Sequence, residues 1–188
     1  MAISLKLLAP PTDEEILEMS ERNPGFQFER GTEGELLVTP AGSKSGRREL
    51  VLGAQLDAWA ESDGSGLAFG PSAGFRLADG SLLSPDASWV RRDRWEAFSL
   101  DEQEDFAPIC PDAVFEIASP SDALPILRRK MRAYLMNGCG LAVLVDPRRG
   151  AVEIYAPGRD PQVHEPAETV SFDVPLQGFT LDLKRVFE

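Results

Sequence analysis

Leu124, Leu127, Met131, Tyr134 and Leu135 recur at the helical period and predict one apolar helix face. Two short apolar runs flank it. The first, Asp112 to Ala118, is rich in β-favouring residues and broken by one charge, Glu116. The second, Leu141 to Val145, is almost wholly apolar, as a strand buried on both faces requires. Ser119-Pro120-Ser121-Asp122 ends the first strand and offers helix caps, and Asn137-Gly138 supplies a left-handed stop. Strand, helix and strand of these lengths predict a right-handed crossover and parallel pairing. Glu116 is the anomaly, because an ionised carboxylate inside a buried strand is costly unless something pairs with it.

The same patterns organise the rest of the chain. Thr12-Asp13-Glu14-Glu15 is a capping box opening a helix that runs to about Arg22 and stops at Asn23-Pro24-Gly25. Phe26 to Arg30 and Leu36 to Thr39 read as a hairpin turning through Gly31 and Gly34. After a polar connection over Gly42 to Gly46, Arg48 to Glu61 reads as a central helix, apolar on most sides. Short strands follow at Gly66 to Phe69, Gly74 to Leu77 and Asp86 to Arg91, with a turn over Ala78 to Ser81. Residues 92–108 form a polar, acidic insertion. Val152 to Tyr155 pairs with 141–145 as a hairpin, and the tail carries short strands near Thr169 to Phe172 and Phe179 to Leu183. A single α+β domain over residues 1–188, a mixed sheet flanked by helices, is the economical architecture.

Composition narrows the function classes. With 43% hydrophobic and 27% charged residues the chain is that of an ordinary globular protein. Its longest apolar runs have strand length, so no membrane association is expected. MAISLKLLAPP meets Pro10-Pro11 too early for a signal peptide, and Cys110 and Cys139 form no C-x-x-C pair, so a reduced, cytoplasmic protein is expected. A net charge of −12 argues against coating nucleic acid by bulk attraction. Basic residues cluster locally, however, at Lys44/Arg47/Arg48, Arg91/Arg92/Arg94 and Arg128/Arg129/Lys130/Arg132. His164 is the sole histidine and lies in a proline-bounded loop, which excludes histidine-based metal sites and a Ser–His–Asp triad. Gly64-Ser65-Gly66…Gly70 lacks the lysine and following helix of a phosphate loop.

Pro85-Asp86, then about thirty residues later PDAVFEIASPSD, then Lys130-x-x-x-Tyr134, Asn137-Gly138…VLVDP and VEIYAPG, together resemble the Uma2 family, a group with the restriction-endonuclease-like PD-(D/E)XK fold. The resemblance covers roughly residues 12–160. It implies an αβββαβ core and a metal-dependent endonuclease acting on DNA, with a homodimer as the form that similar proteins suggest. Asp86 and Glu116, with the Ile117 carbonyl, would bind Mg²⁺ or Mn²⁺, ions that want hard oxygen ligands. The departure is Ala118, which stands where the common E-x-K pattern has lysine. Lys130 is the candidate replacement: roughly 20 Å of extended chain and turn followed by about 12 Å of helix lets it fold back toward Glu116. Arg91, Arg92, Arg128, Arg129 and Arg132 are the candidate DNA contacts.

Each residue also has an ordinary reading. Asp86 suits a turn, Glu116 a structural ion pair, and Lys130 a lysine snorkelling off a packed helix. Asp112 suits strand-entry capping, Asp146 a turn and Tyr134 the core. Glu49 has two readings, an extra acid brought to the site by the central helix and a solvated partner of Arg48, of which the second is the more ordinary. The competing functional class is a nuclease fold kept as a nucleic-acid-binding or assembly module without catalysis.

Overall fold

The computed structural model describes residues 3–120 and 122–188. In chain order the elements are β1 (Ile3–Leu5), α1 (Asp13–Arg22), β2 (Phe26–Arg30), β3 (Leu36–Pro40), α2 (Ser43–Asp63), β4 (Gly66–Phe69), β5 (Phe75–Arg76), β6 (Leu82–Leu83), β7 (Ala87–Arg91), α3 (Arg92–Trp95) and α4 (Leu100–Glu104). They continue with β8 (Ala113–Ile117), α5 (Leu124–Met136), β9 (Leu141–Asp146), β10 (Ala151–Tyr155), β11 (Gln162–His164), β12 (Thr169–Ser171), β13 (Thr180–Asp182) and α6 (Leu183–Phe187).

Six strands form the central mixed sheet in the order β11-β10-β9-β8-β7-β4. Only β8 and β9 run parallel, joined by α5, while β4, β7 and β8 are antiparallel neighbours. The succession α2, β4, β7, β8, α5, β9 is thus an αβββαβ core. Strand alternation decides what each face meets. Trp89, Phe115 and Val143 point to the α2 side, where they pack with Leu52, Leu56 and Phe179. Val90, Val114, Ala118 and Leu144 point to the other side and pack with Met131 and Tyr134 of α5. Burying Met131 completely contributes about 1.5–3 kcal/mol to docking that helix. A second sheet, β1-β3-β2-β6-β5, is covered by α1 through Ile16, Leu36 and Leu82.

The Thr12 capping box and the left-handed Gly138 stand where the sequence places them. Other boundaries move. Helix α2 begins at Ser43, ahead of the expected Arg48, so Gly46 lies inside it. A glycine costs a helix only about 1 kcal/mol, which the buried Val51, Leu52 and Leu56 outweigh. Helix α5 starts from Ala123 with no side-chain cap, its first turn set by Pro125. Asp122 accepts instead from the Ser119 amide at 2.8 Å; Ser121, the other expected cap, lies outside the described residues. The acidic insertion contains two short helices, the second held by a Ser99–Glu102 capping box. Strands β1, β6 and β11 and helix α6 are too short for a periodicity reading. Among the described residues no helix is long and apolar enough to cross a membrane.

Candidate active site

The β7–β8 register builds the centre. Ala87 lies opposite Phe115, so the preceding residue, Asp86, is placed across from Glu116. Both belong to the alternation that faces α5. Asp86 Oδ2 accepts the Ile117 amide at 2.7 Å, which ties the carboxylate to the neighbouring strand. Burial, and then repulsion by Glu116 and Glu49, push the Asp86 carboxyl well above the usual range, against the pull of that hydrogen bond and of Lys130. Burial likewise pushes Glu116 up to about 7 despite the adjacent lysine.

Helix α5 brings Lys130 over this pair. Its Nζ lies 2.8 Å from Glu116 Oε1, with side chains 13% and 7% exposed respectively. One turn on, the Tyr134 hydroxyl donates to the same oxygen at 3.0 Å. Lys130 Nζ also donates to Glu29 Oε1 and Oε2, at 2.9 and 3.2 Å, and Glu29 Oε1 accepts the Ser84 amide at 2.7 Å. Burial works against the ammonium, but Glu116 and Glu29 more than reverse it and hold Lys130 well above the ordinary lysine range. Held between two carboxylates, the lysine is placed as a cation rather than as a base. Ala118, at the usual lysine position, is buried in the apolar cluster beneath α5.

Glu29, Asp86, Glu116 and Lys130 line a cavity of about 570 Å³ between the two sheets, walled by β2, β3 and the first turns of α2 and α5. Glu49 also lines it, half-buried, its carboxyl raised by burial. This corrects the reading of Glu49 as a solvated partner of Arg48. Arg48 is buried and donates to the Phe187 carbonyl at 3.4 Å, on the C-terminal segment. The helical spacing held the clue, since Glu49 precedes the buried Leu52 and Leu56 by three and seven positions. Glu29 was missed outright. Its signal was an acid and Gln27 alternating with Phe26 and Phe28 along β2, which gives that strand a polar inward face.

The proposed arginines do not gather here. Arg91 ends β7, about 17 Å along the strand from Asp86, and Arg92 opens α3 beyond it; they pair with Asp93 and Glu96. Arg128 is bound to the buried Glu153 at 2.5 Å. Arg129 and Arg132 are exposed and make no ion pair among the described residues. Lys44 and Arg47, not singled out as contacts, are likewise exposed, and they flank Gly42, Ser45 and Gly46, which line the cavity. Asp112 receives the Arg91 amide and pairs with Arg94, and Asp146 caps its turn by accepting from the Arg148 and Arg149 amides.

Among the described residues no three acidic, histidine or cysteine side chains converge tightly enough to cage an ion alone. The donor set nevertheless fits a hard divalent cation, which often takes only one or two carboxylates and completes its shell with water and substrate phosphate. Asp86 Oδ1 and Glu116 Oε2 accept no hydrogen bond among the described residues, and both side chains line the cavity. A half-buried and a buried carboxylate, Asp86 and Glu116, pushed upward by desolvation and by negative neighbours, are what such an ion would relieve.

A family model described as "Uma2: Putative restriction endonuclease" matches residues 13–184. The crystal structure of a putative nuclease of the DUF820 group from Anabaena variabilis superposes with a TM-score of 0.74, covering 95% of this chain and 98% of that one at 21% identity. That likeness establishes the fold. A part of the DrdV–DNA complex aligns at a TM-score of 0.38 and 15% identity, over 58% of this chain and 9% of that one, too loosely to argue from. No curated protein matches the chain in sequence.

Proposed function

The chain belongs to the Uma2 family of restriction-endonuclease-like proteins, and from that premise we propose that it is an endonuclease cleaving DNA phosphodiester bonds with Mg²⁺ or Mn²⁺. One observation carries this reading: Asp86 and Glu116 meet across adjacent strands, and Lys130 is brought from a helix to 2.8 Å from Glu116. Asp86 and Glu116 are the proposed metal ligands, with the Ile117 carbonyl. When bound, the ion supplies Lewis acidity toward a phosphoryl oxygen and lowers the pKa of a water. The chain's own residues do the rest. Lys130, permanently charged, donates to the attacking water or a non-bridging phosphate oxygen. Asp86 stays oriented by the Ile117 amide, and Glu116 by Tyr134 and Lys130.

Isothermal calorimetry of the full chain with Mn²⁺ at pH 8, followed by plasmid nicking in the same buffer, tests the proposal. Saturable binding with nicking is expected. Neither binding nor nicking would leave the binding-module reading in its place.

DNA contact is assigned to the cationic side chains near the cavity. Neutralising Lys44 and Arg47 together is expected to reduce the log–log salt slope of DNA binding by about 2, as loss of two phosphate contacts requires. Neutralising Arg91 and Arg92, tied up at the far end of β7, is expected to leave the slope unchanged. Fluorescence anisotropy across a salt series reads both, and the opposite ranking would place the DNA at the other end of the sheet.

A further inference from the structure

Lys130 stands between two carboxylates rather than beside one. Glu29 reaches it from β2 of the second sheet and is itself only 4% exposed. Both Glu29 oxygens are occupied, Oε1 by the Ser84 amide and Lys130, and Oε2 by Lys130. A carboxylate so committed is poorly placed to ligate an ion. Its effect on the centre must pass through the lysine.

Charge bookkeeping shows what that effect is. A lysine bound to Glu116 alone would neutralise it and place a full positive charge beside the position a divalent cation has to occupy. With Glu29 on the other side, the Glu29–Lys130 pair is neutral as a unit. Asp86 and Glu116 then present their two negative charges to the cavity. An ammonium a few ångströms from a divalent ion, at the effective dielectric of such sites, repels it by more than one decade in affinity.

We infer that Glu29 is a positioning residue that neutralises Lys130 and keeps Glu116 available to the metal. The inference rests on the metal-dependent reading above, and the experiment separates the two. Mn²⁺ titrations by calorimetry, on the full chain at pH 8, compare wild type, Glu29→Gln, Lys130→Met and the double variant. Glu29→Gln is expected to weaken Mn²⁺ binding at least about tenfold, because it exposes the ion to an uncompensated lysine. Lys130→Met is expected to bind at least as tightly as wild type. The double variant, which removes both members of the neutral pair, is expected to return to within about threefold of wild type.

A purely structural ion pair would not produce that restoration, since the double variant would be as impaired as the single one. Unchanged affinity in Glu29→Gln while wild type binds overturns the inference alone. Absence of Mn²⁺ binding in wild type overturns both. Should Glu29→Gln fail to fold, the double variant still decides, and a tenfold or greater weakening there counts against the inference.

Discussion

Glu116→Gln is expected to abolish Mn²⁺ binding, cut nicking by about a thousandfold, and yet stabilise the metal-free protein at neutral pH. The loss follows from removing a proposed ligand, since a bound ion's stabilisation of transition-state charge is worth several kcal/mol. The gain follows from linkage. Burial raises the Glu116 carboxyl from 4.5 to about 7 in the folded protein. Below pH 4.5 both states hold the proton and the group contributes no difference. Between 4.5 and 7 the unfolded chain ionises first, so the native state binds more protons and stability falls as pH rises. Above 7 both are ionised and the deficit levels off at about 3 kcal/mol, taking 1.36 kcal/mol per unit. Glutamine has no such deficit, and its amide oxygen can still accept from Tyr134 while Lys130 keeps Glu29. Urea unfolding in chelator at pH 5 and pH 8 checks this. The variant should gain on wild type between the two, and a pH-independent difference would sink the account. Alanine is the poorer probe, because it leaves the Tyr134 hydroxyl without its acceptor.

Lys130→Met is expected to be the most destabilising of these single changes, by about 3–5 kcal/mol at pH 8, because it strands Glu29 and Glu116 as buried, uncompensated carboxylates. From sequence alone the aliphatic stem of methionine promises intact helix packing. The structure replaces that expectation, since the ammonium is held in a buried ion triad. The loss should shrink at pH 5, where the raised Glu116 carboxyl holds its proton in the native state. With Mn²⁺ saturating, kcat is expected to fall about a hundredfold, the usual effect of deleting one donor to developing charge. Equal kcat in folded, metal-loaded variant and wild type would remove Lys130 from the chemistry.

Local pattern revealed most of the individual helices and strands, because they show their own period or stop signal, while their αβββαβ arrangement was what the family resemblance implied. That Asp86, Glu116 and Lys130 come together was readable for a related reason: two lie at successive strands, where pairing is nearly forced, and the third lies a countable distance along the next helix. Glu29 was not, because its partner is 101 residues away and on another sheet, a contact that no local spacing encodes. Glu49 was misread by weighing its neighbour in sequence, Arg48, over its neighbours on the helix face. The arginines show the converse limit. Clustering in sequence marked Arg91, Arg92 and Arg128, but nearby acids claim all three. The uncapped start of α2, read as a loop, carries the cations beside the cavity.

On the proposed function, the helix-borne lysine changes what the chemistry depends on. In an E-x-K strand, acid and lysine are two residues apart on one rigid backbone, and their separation is a covalent constant. Here Glu116 and Lys130 stand fourteen positions apart, and the separation is maintained by how α5 seats on the sheet. For the proposed endonuclease, alignment of Lys130 with Glu116 is therefore a property of the core: Met131 and Tyr134, which anchor the helix, act as its ruler. A lesion beneath α5, remote from any ligand, would then mistune turnover while leaving the carboxylates undisturbed, and drift in core packing and drift in reactivity become one variable.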